Sequence, residues 1–97
     1  MSLIISARRQ SKTNTSLSAD GTYTVPNGTI IDCIQFTPSI DMPAVKIGLT
    51  FGGEEILPSA ALTAGQSSLI GTLLLPGTVV YFAGITAAAQ IIFFRKQ

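Results

Sequence analysis

The side chains that most often carry out catalysis are scarce in this sequence. It contains no histidine and one cysteine, Cys33. Without histidine, the commonest general base and metal ligand is missing, and a serine nucleophile lacks its usual partner. A single thiol can form neither an intrachain disulfide nor a thiolate metal cluster. The acidic residues are Asp20, Asp32, Asp41, Glu54 and Glu55.

The spacing of these five carboxylates favours no catalytic pair and does not match the oxygen-rich alternation of a calcium loop. Glu54 and Glu55 follow a double glycine, which is typical of a solvated turn. Asp32 interrupts an apolar run and is interpreted as solvent-facing, with an arginine partner at a subunit contact as the alternative. Cys33 is predicted to be a buried packing residue. We therefore expect a protein that is not an enzyme and that requires no metal or cofactor.

The basic residues do not form the dense stripe that a nucleic-acid interface needs. The formal net charge is +1, and Lys46 is the only basic residue in the middle of the chain. Arg8 and Arg9 lie near the start and are predicted to belong to a solvated or interface-facing segment. The sequence predicts no nucleic-acid partner.

The composition is too apolar for an ordinary small monomer. The 97 residues fit one domain, of which 46% are hydrophobic and 11% are charged, with a mean hydropathy of +0.48. Large exposed apolar patches are rare on monomeric proteins, so copies of the chain or a partner must cover the excess. We expect an oligomer or an assembled subunit.

Residues 56–94 carry no charge, a length that could accommodate a membrane-spanning helix. Proline and glycine interrupt this stretch too often to sustain a helix, and the remaining runs are rich in β-branched and aromatic residues. A membrane span is therefore not expected. Residues 1–10 place an apolar stretch before arginines, the reverse of a secretory signal, so no targeting peptide is expected. The interrupting residues are Pro58, Gly65, Gly71, Pro76, Gly77 and Gly84.

Frequent turn signals predict many short strands rather than helices. Residues 45–51 alternate apolar and polar side chains, which is typical of a half-buried strand, and Gly52-Gly53 predicts a tight hairpin after it. Pro26-Asn27-Gly28 predicts a second hairpin or a strand corner. The expected fold is an all-β, antiparallel, jelly-roll-like β-sandwich of about seven or eight strands. It forms a single domain over residues 1–97, with residues 1–19 serving as an edge strand and attachment arm.

The last predicted strands are apolar on both faces, which one sandwich core cannot bury. Tyr81 lies opposite Val80 and Phe82 in the alternation, and Ile92 and Phe94 share a face of the final strand. One face of these strands is therefore a candidate contact with a neighbouring subunit. The predicted assembly interface comprises Arg8, Arg9, Tyr81, Ile92 and Phe94.

Several segments resemble small β-sandwich modules of bacteriophage virion proteins, such as decoration, head-fibre and tail-fibre domains. These segments are YTVPNGTII at residues 23–31, VKIGLT at 45–50 with GGE at 52–54, VVYF at 79–82 and IIFF at 91–94. The likeness covers roughly residues 22–94 and rests on turn and strand patterns. It implies a virion location and a homo-oligomer, often a trimer, that docks on other virion proteins through the amino-terminal arm.

The alternative hypothesis is an extracellular binding module for carbohydrate or another ligand. Carbohydrate binders usually present exposed aromatic platforms. This chain has no tryptophan and only two tyrosines, Tyr23 and Tyr81. Oligomeric mass and glycan binding distinguish the two hypotheses.

Overall fold

The computed structural model describes residues 12–95 as eight β-strands, with no helix among them. Arg8, Arg9 and most of the predicted attachment arm lie outside the described residues. The strands are β1 (Lys12–Leu17), β2 (Gly21–Thr24), β3 (Ile31–Pro38), β4 (Met42–Gly48), β5 (Leu57–Leu62), β6 (Ser68–Leu74), β7 (Val79–Ala83) and β8 (Ala89–Arg95).

The strands form two antiparallel four-stranded sheets, which confirms the predicted all-β sandwich. Sheet I has the order β1-β8-β3-β6, and sheet II has the order β2-β7-β4-β5. The chain crosses from one sheet to the other after each of the first three strands. β4 and β5 are neighbours in sheet II, and the chain again changes sheet after each of β5, β6 and β7. This is the strand order of a jelly roll. No helix in the described part of the chain has the length and hydropathy needed to cross a bilayer.

The whole domain can be described as one long hairpin, wrapped around its own core. The pairs β1–β8, β2–β7, β3–β6 and β4–β5 all have their sequence midpoint between Phe51 and Gly53. Gly52 lies at this midpoint and has a φ of 73°, a left-handed conformation that glycine adopts without steric cost. The double glycine therefore marks the bend about which every other strand pairs.

The core lies between the two sheets and is formed by the alternate residues that face inward. Aromatic contacts connect the sheets: the rings of Tyr23 and Phe93 stack with centroids 4.0 Å apart, and Phe82 meets the edge of Phe93. The fully buried large side chains are Phe36, Phe93, Ile31, Ile34, Met42, Ile47, Ile91, Val25, Val45, Val80 and Pro38.

The predicted strand at residues 45–51 is displaced toward the amino terminus. β4 begins at Met42, which is fully buried, and ends at Gly48. Leu49 and Phe51, expected on the buried face, are instead exposed. The hairpin to β5 exists, and its connecting loop of residues 49–56 contains the predicted tight turn at the double glycine, in which Gly53 donates its backbone N–H to the carbonyl of Thr50 at 2.9 Å. Glu55 accepts a further hydrogen bond from the backbone N–H of Leu49.

The strand β3 places Cys33, which was predicted to be a buried packing residue, on the outer face of sheet I. A β-bulge between Ile31 and Cys33 places Asp32 and Cys33 on the outer side, so that Ile31 and Ile34 both face the core. Cys33 is accordingly half-buried on the outer face and not a core residue. Asp32 is half-exposed, in agreement with the solvent-facing interpretation. The turn at Pro26-Asn27-Gly28 is a strand corner, since β2 and β3 belong to different sheets.

Candidate assembly surface

The outer face of sheet I carries apolar side chains that the sandwich does not cover. In β8, Ile91 and Phe93 are fully buried, whereas Ile92 and Phe94 point away from the core and are half-exposed. In β6, Leu69 and Leu73 point outward, with 69% and 62% of their surface exposed. These are large exposures for leucines in the middle of a strand.

The strand register shows that these side chains lie on the same face of sheet I. Residues directly opposite each other in antiparallel strands lie on the same face. Phe94 is opposite Cys33, which is opposite Gly71, and Ile92 is opposite Gln35, which is opposite Leu69. We call the group Cys33, Leu69, Leu73, Ile92 and Phe94 the apolar outer face.

The other end of the same face is polar. Gln90 lies between Ser16 on β1 and Thr37 on β3. The hydroxyls of Thr37 and Ser67 are 2.7 Å apart and hydrogen-bonded, and the amide of Gln35 donates to Ser67 at 3.4 Å. The outer face of sheet I is therefore divided into an apolar half and a half of neutral polar groups.

The structure brings two of the predicted interface residues together and separates a third from them. Ile92 and Phe94 are both part of the apolar outer face. Tyr81 is on β7, where Val80 and Phe82 face the core, so its side chain is on the outer face of sheet II, across the sandwich. Arg8 and Arg9 are outside the described residues, and their role stays a prediction.

Tyr81 lines a small depression of about 120 Å³ together with Thr22 and Phe51. Phe51 is 86% exposed and belongs to the loop of residues 49–56, which passes close over Gly48 on the outer face of sheet II. Gly48 permits this close approach: a side chain there would meet the carbonyl oxygen of Gly53 at 2.5 Å. The result is a pair of aromatic residues on the side of the molecule opposite to the apolar outer face.

The thiol of Cys33 is poorly suited to nucleophilic chemistry. Burial raises its pKa, and the nearby carboxylate of Asp32 adds to this effect. A raised pKa lowers the fraction of reactive thiolate at neutral pH. Cys33 therefore contributes apolar surface to the outer face and, being the single cysteine of the sequence, offers one chemical label there.

Four of the five carboxylates accept hydrogen bonds from backbone N–H groups, each at 2.9 Å. Asp20 accepts from Ile85 and Asp41 accepts from Ala64, so both tie one interstrand connection to another. The hydrogen bonds with Leu49 also hold the pKa of Glu55 below its ordinary value. Through these hydrogen bonds the carboxylates stabilise the conformation of the connections between strands. The acceptors and donors are Asp20 with Ile85, Asp41 with Ala64, Glu54 with Ser59, and Glu55 with Leu49.

An open groove of about 550 Å³ lies at the polar end of sheet I. Its lining offers hydroxyl and amide groups and no charged side chain. Ser39 uses its hydroxyl to bind the carbonyl of Ala88 at 2.5 Å, which fixes the groove floor. The polar lining residues are Asn14, Thr15, Ser16, Thr37, Ser39 and Gln90.

Sequence reasoning missed the exposed leucines of β6 and the exposed Phe51. The signal for β6 was the run SLIGTLL at residues 68–74, in which Leu69 and Leu73 alternate with Ile70 and Leu74. Both faces of this strand are thus apolar, as in β7 and β8. For Phe51 the sequence offered no signal, because its exposure results from where β4 ends.

Searches for a matching family model, curated protein or solved structure found none for this chain.

Proposed function

We propose that this protein is a non-enzymatic structural subunit of a viral particle, of the bacteriophage decoration or fibre type. In this proposal it works in the virion by associating with copies of itself and docking on other virion proteins. The observation that carries the proposal is the apolar outer face of sheet I. The virion setting rests on the resemblance described above, and the self-association rests on the surface.

The physical argument concerns the cost of leaving this surface in water. Burying apolar area contributes roughly 25 cal/mol per Å². Leu69 and Leu73 are each more than 60% exposed, and they share the outer face of sheet I with Ile92 and Phe94, with β3 lying between the two pairs. Contiguous apolar surface on a folded domain marks a site of association. A subunit that buries this face in an assembly gains stability that an isolated copy lacks.

The carboxylates support a structural role over a catalytic one. Four of them already hold loops by accepting backbone hydrogen bonds, as described above. A general base must be free to approach a substrate proton. Rigid loops at both ends of the sandwich suit a protein that presents a fixed surface to its neighbours.

The proposal is tested by measuring mass and the accessibility of Cys33 together. Light scattering of the purified protein should give a multiple of the 10.1 kDa chain mass. Alkylation of Cys33 at about pH 8.5, chosen because its thiol pKa is raised, should slow at least about fivefold as concentration rises and the face is covered. Unfolded protein supplies the reference rate.

Leu73→Ser should shift the assembly toward monomer and restore fast alkylation of Cys33. The matched control is Leu49→Ser, which changes a leucine that is 44% exposed and lies in the loop of residues 49–56. A monomeric mass at every concentration, with a constant alkylation rate, would contradict the proposal.

A second candidate, a carbohydrate-binding module, is favoured by the groove at the polar end of sheet I. Its hydroxyl and amide groups are of the kind that bind sugar hydroxyls. Against it, Tyr23 is turned into the core against Phe93 and cannot serve as a stacking platform. A monomer that binds a glycan, with binding lost in Gln90→Ala, would reverse the order of the two candidates.

A further inference from the structure

The strand β6 is an edge strand that lacks the usual protection against pairing with another chain. Among residues 12–95, its one neighbour in sheet I is β3, so no described strand pairs with the backbone N–H and C=O groups on its other side. Between Ser68 and Leu74 it contains no charge and no proline. Proteins commonly guard exposed edges with those residues, with bulges, or by keeping the edge strand short.

The other three edges of the sandwich are each protected. β5 contains Pro58, and its pairing with β4 is broken by two irregularities. β2 is four residues long. β1 starts at Lys12 and is otherwise mostly hydroxyl and amide residues. Within the described chain, β6 therefore differs from the other edges in being seven residues long without a charge or a proline.

We infer that β6 pairs antiparallel with β6 of a second copy, about a two-fold axis at Gly71. The partner is a second copy because the strand is complementary to itself: Leu69 and Leu73 are both exposed and lie two residues to either side of Gly71, the central residue. This pairing places Leu69 opposite the second copy's Leu73, and the reverse, on the outer face. Contact between identical patches is what a two-fold interface requires.

Gly71 suits the position on the axis. A side chain added there would meet nothing within 4 Å in the isolated chain, so the fold of one copy does not require glycine. Glycine inside a strand lowers stability by about 0.5–1 kcal/mol relative to alanine. At the axis it would face its own symmetry mate, and the absence of a side chain lets the two backbones approach closely.

The paired copies form one continuous eight-stranded sheet from two four-stranded sheets. Their two apolar outer faces merge into one strip, since Leu69 and Leu73 of both copies lie at its centre. A strand of seven residues is about 24 Å long, so the contact is smaller than the roughly 800 Å² per partner of a standard interface. We therefore expect a reversible dimer that is favoured at high local concentration, as on a particle.

This inference deepens the proposed function and rests on its premise that the chain associates with itself. Sedimentation velocity over about 5–500 μM protein, a range that brackets weak interfaces, measures the dimerisation. Gly71→Lys places two like charges opposite each other and should raise the dissociation constant at least about tenfold. The matched control is Thr22→Lys, an exposed residue of the edge strand β2, which should leave the constant unchanged.

A pair of double variants tests the register. Leu69→Lys/Leu73→Lys opposes like charges across the axis, whereas Leu69→Lys/Leu73→Glu opposes unlike charges, and both remove the same leucines. The second should dimerise about tenfold more tightly than the first, and the difference should shrink at about 1 M salt. Circular dichroism of each variant confirms the sandwich fold, since all three positions are exposed.

The possible outcomes separate this inference from the proposed function. A wild-type chain that self-associates while Gly71→Lys and both double variants behave alike would overturn the β6 pairing and leave the proposed assembly standing. A chain that stays monomeric throughout the range would overturn both. Weaker dimerisation of Gly71→Lys, together with tighter dimerisation of Leu69→Lys/Leu73→Glu than of Leu69→Lys/Leu73→Lys, would establish the two-fold pairing.

Discussion

Tyr23 combines a favourable ring contact with an unfavourable position for its hydroxyl. The ring stacks on Phe93 at 4.0 Å, which joins the two sheets across the core. The hydroxyl is buried and has no hydrogen-bond partner in the described part of the chain. A buried polar group without a partner costs about 1–3 kcal/mol, because it has lost its bonds to water.

Tyr23→Phe should leave stability unchanged or raise it by up to about 1 kcal/mol, since the stacking is kept and the unpaired hydroxyl is removed. Urea denaturation gives the free energy of unfolding. Tyr81→Phe is the control: that hydroxyl belongs to the outer face of sheet II, and its loss should change stability by less than about 0.5 kcal/mol. A loss above about 1 kcal/mol for Tyr23→Phe would mean that its hydroxyl is bonded in the native protein.

The assignment of single residues from sequence succeeded where alternation was regular. In β7 and β8 the period of two correctly separated Val80 and Phe82 from Tyr81, and Phe93 from Phe94. It failed at Cys33, because the extra residue of the bulge puts Ile31 and Ile34 on the core face and leaves Cys33 on the outer one. It could not assign the partners of the carboxylates, since Asp20 binds a backbone group 65 residues away.

At the scale of elements, the loop of residues 49–56 combines a glycine turn with a carboxylate contact. Gly53 donates its backbone N–H to the carbonyl of Thr50 at 2.9 Å, which closes the tight turn that the double glycine predicted. Glu55 accepts a hydrogen bond from the backbone N–H of Leu49 at 2.9 Å. The second contact could not be predicted from sequence, because local turn propensities do not contain side-chain hydrogen bonds of this kind.

The pH dependence of stability should reveal the hydrogen bond between Leu49 and Glu55. The hydrogen bonds from Leu49 and from its own N–H hold the pKa of Glu55 below its ordinary value. A group with a lowered native pKa stabilises the fold above its unfolded pKa, and this contribution is lost as pH falls through the native pKa. Between roughly pH 5 and 3, wild type should lose more stability than Glu55→Gln, measured as the urea midpoint. Parallel pH profiles for the two proteins would contradict this role.

At the scale of the whole molecule, the nested pairing about Gly52 joins strands that are progressively farther apart in the sequence. The innermost pair, β4–β5, joins residues close in sequence, such as Ile47 and Leu57. The outermost pair, β1–β8, joins Thr15 to Ile91. The sequence predicted the sandwich class because turn signals are local, but which strands become neighbours depends on contacts between distant segments.

The free edge of β6 is likewise a property of the whole topology. The sequence of residues 68–74 does not show whether the strand lies at the edge or in the centre of a sheet. That position depends on which other strands of the chain pair with it. In this jelly roll β3 pairs with one side of β6, and no other strand of the described residues pairs with its other side. The candidate assembly surface could therefore be predicted in part, through Ile92 and Phe94, and its leucine half required the sheet order.

The nested order makes a kinetic prediction from two equal substitutions. Ile47 and Ile91 are both fully buried, and each replacement by valine should cost about 0.5–1.5 kcal/mol. Closing the short β4–β5 loop costs less chain entropy than bringing β8 to its partners, so the transition state should contain contacts of Ile47 before those of Ile91. Ile47→Val should therefore slow refolding, whereas Ile91→Val should mainly speed unfolding, as measured by stopped-flow in urea. Equal effects of the two substitutions on the refolding rate would show instead that the sandwich closes as one unit.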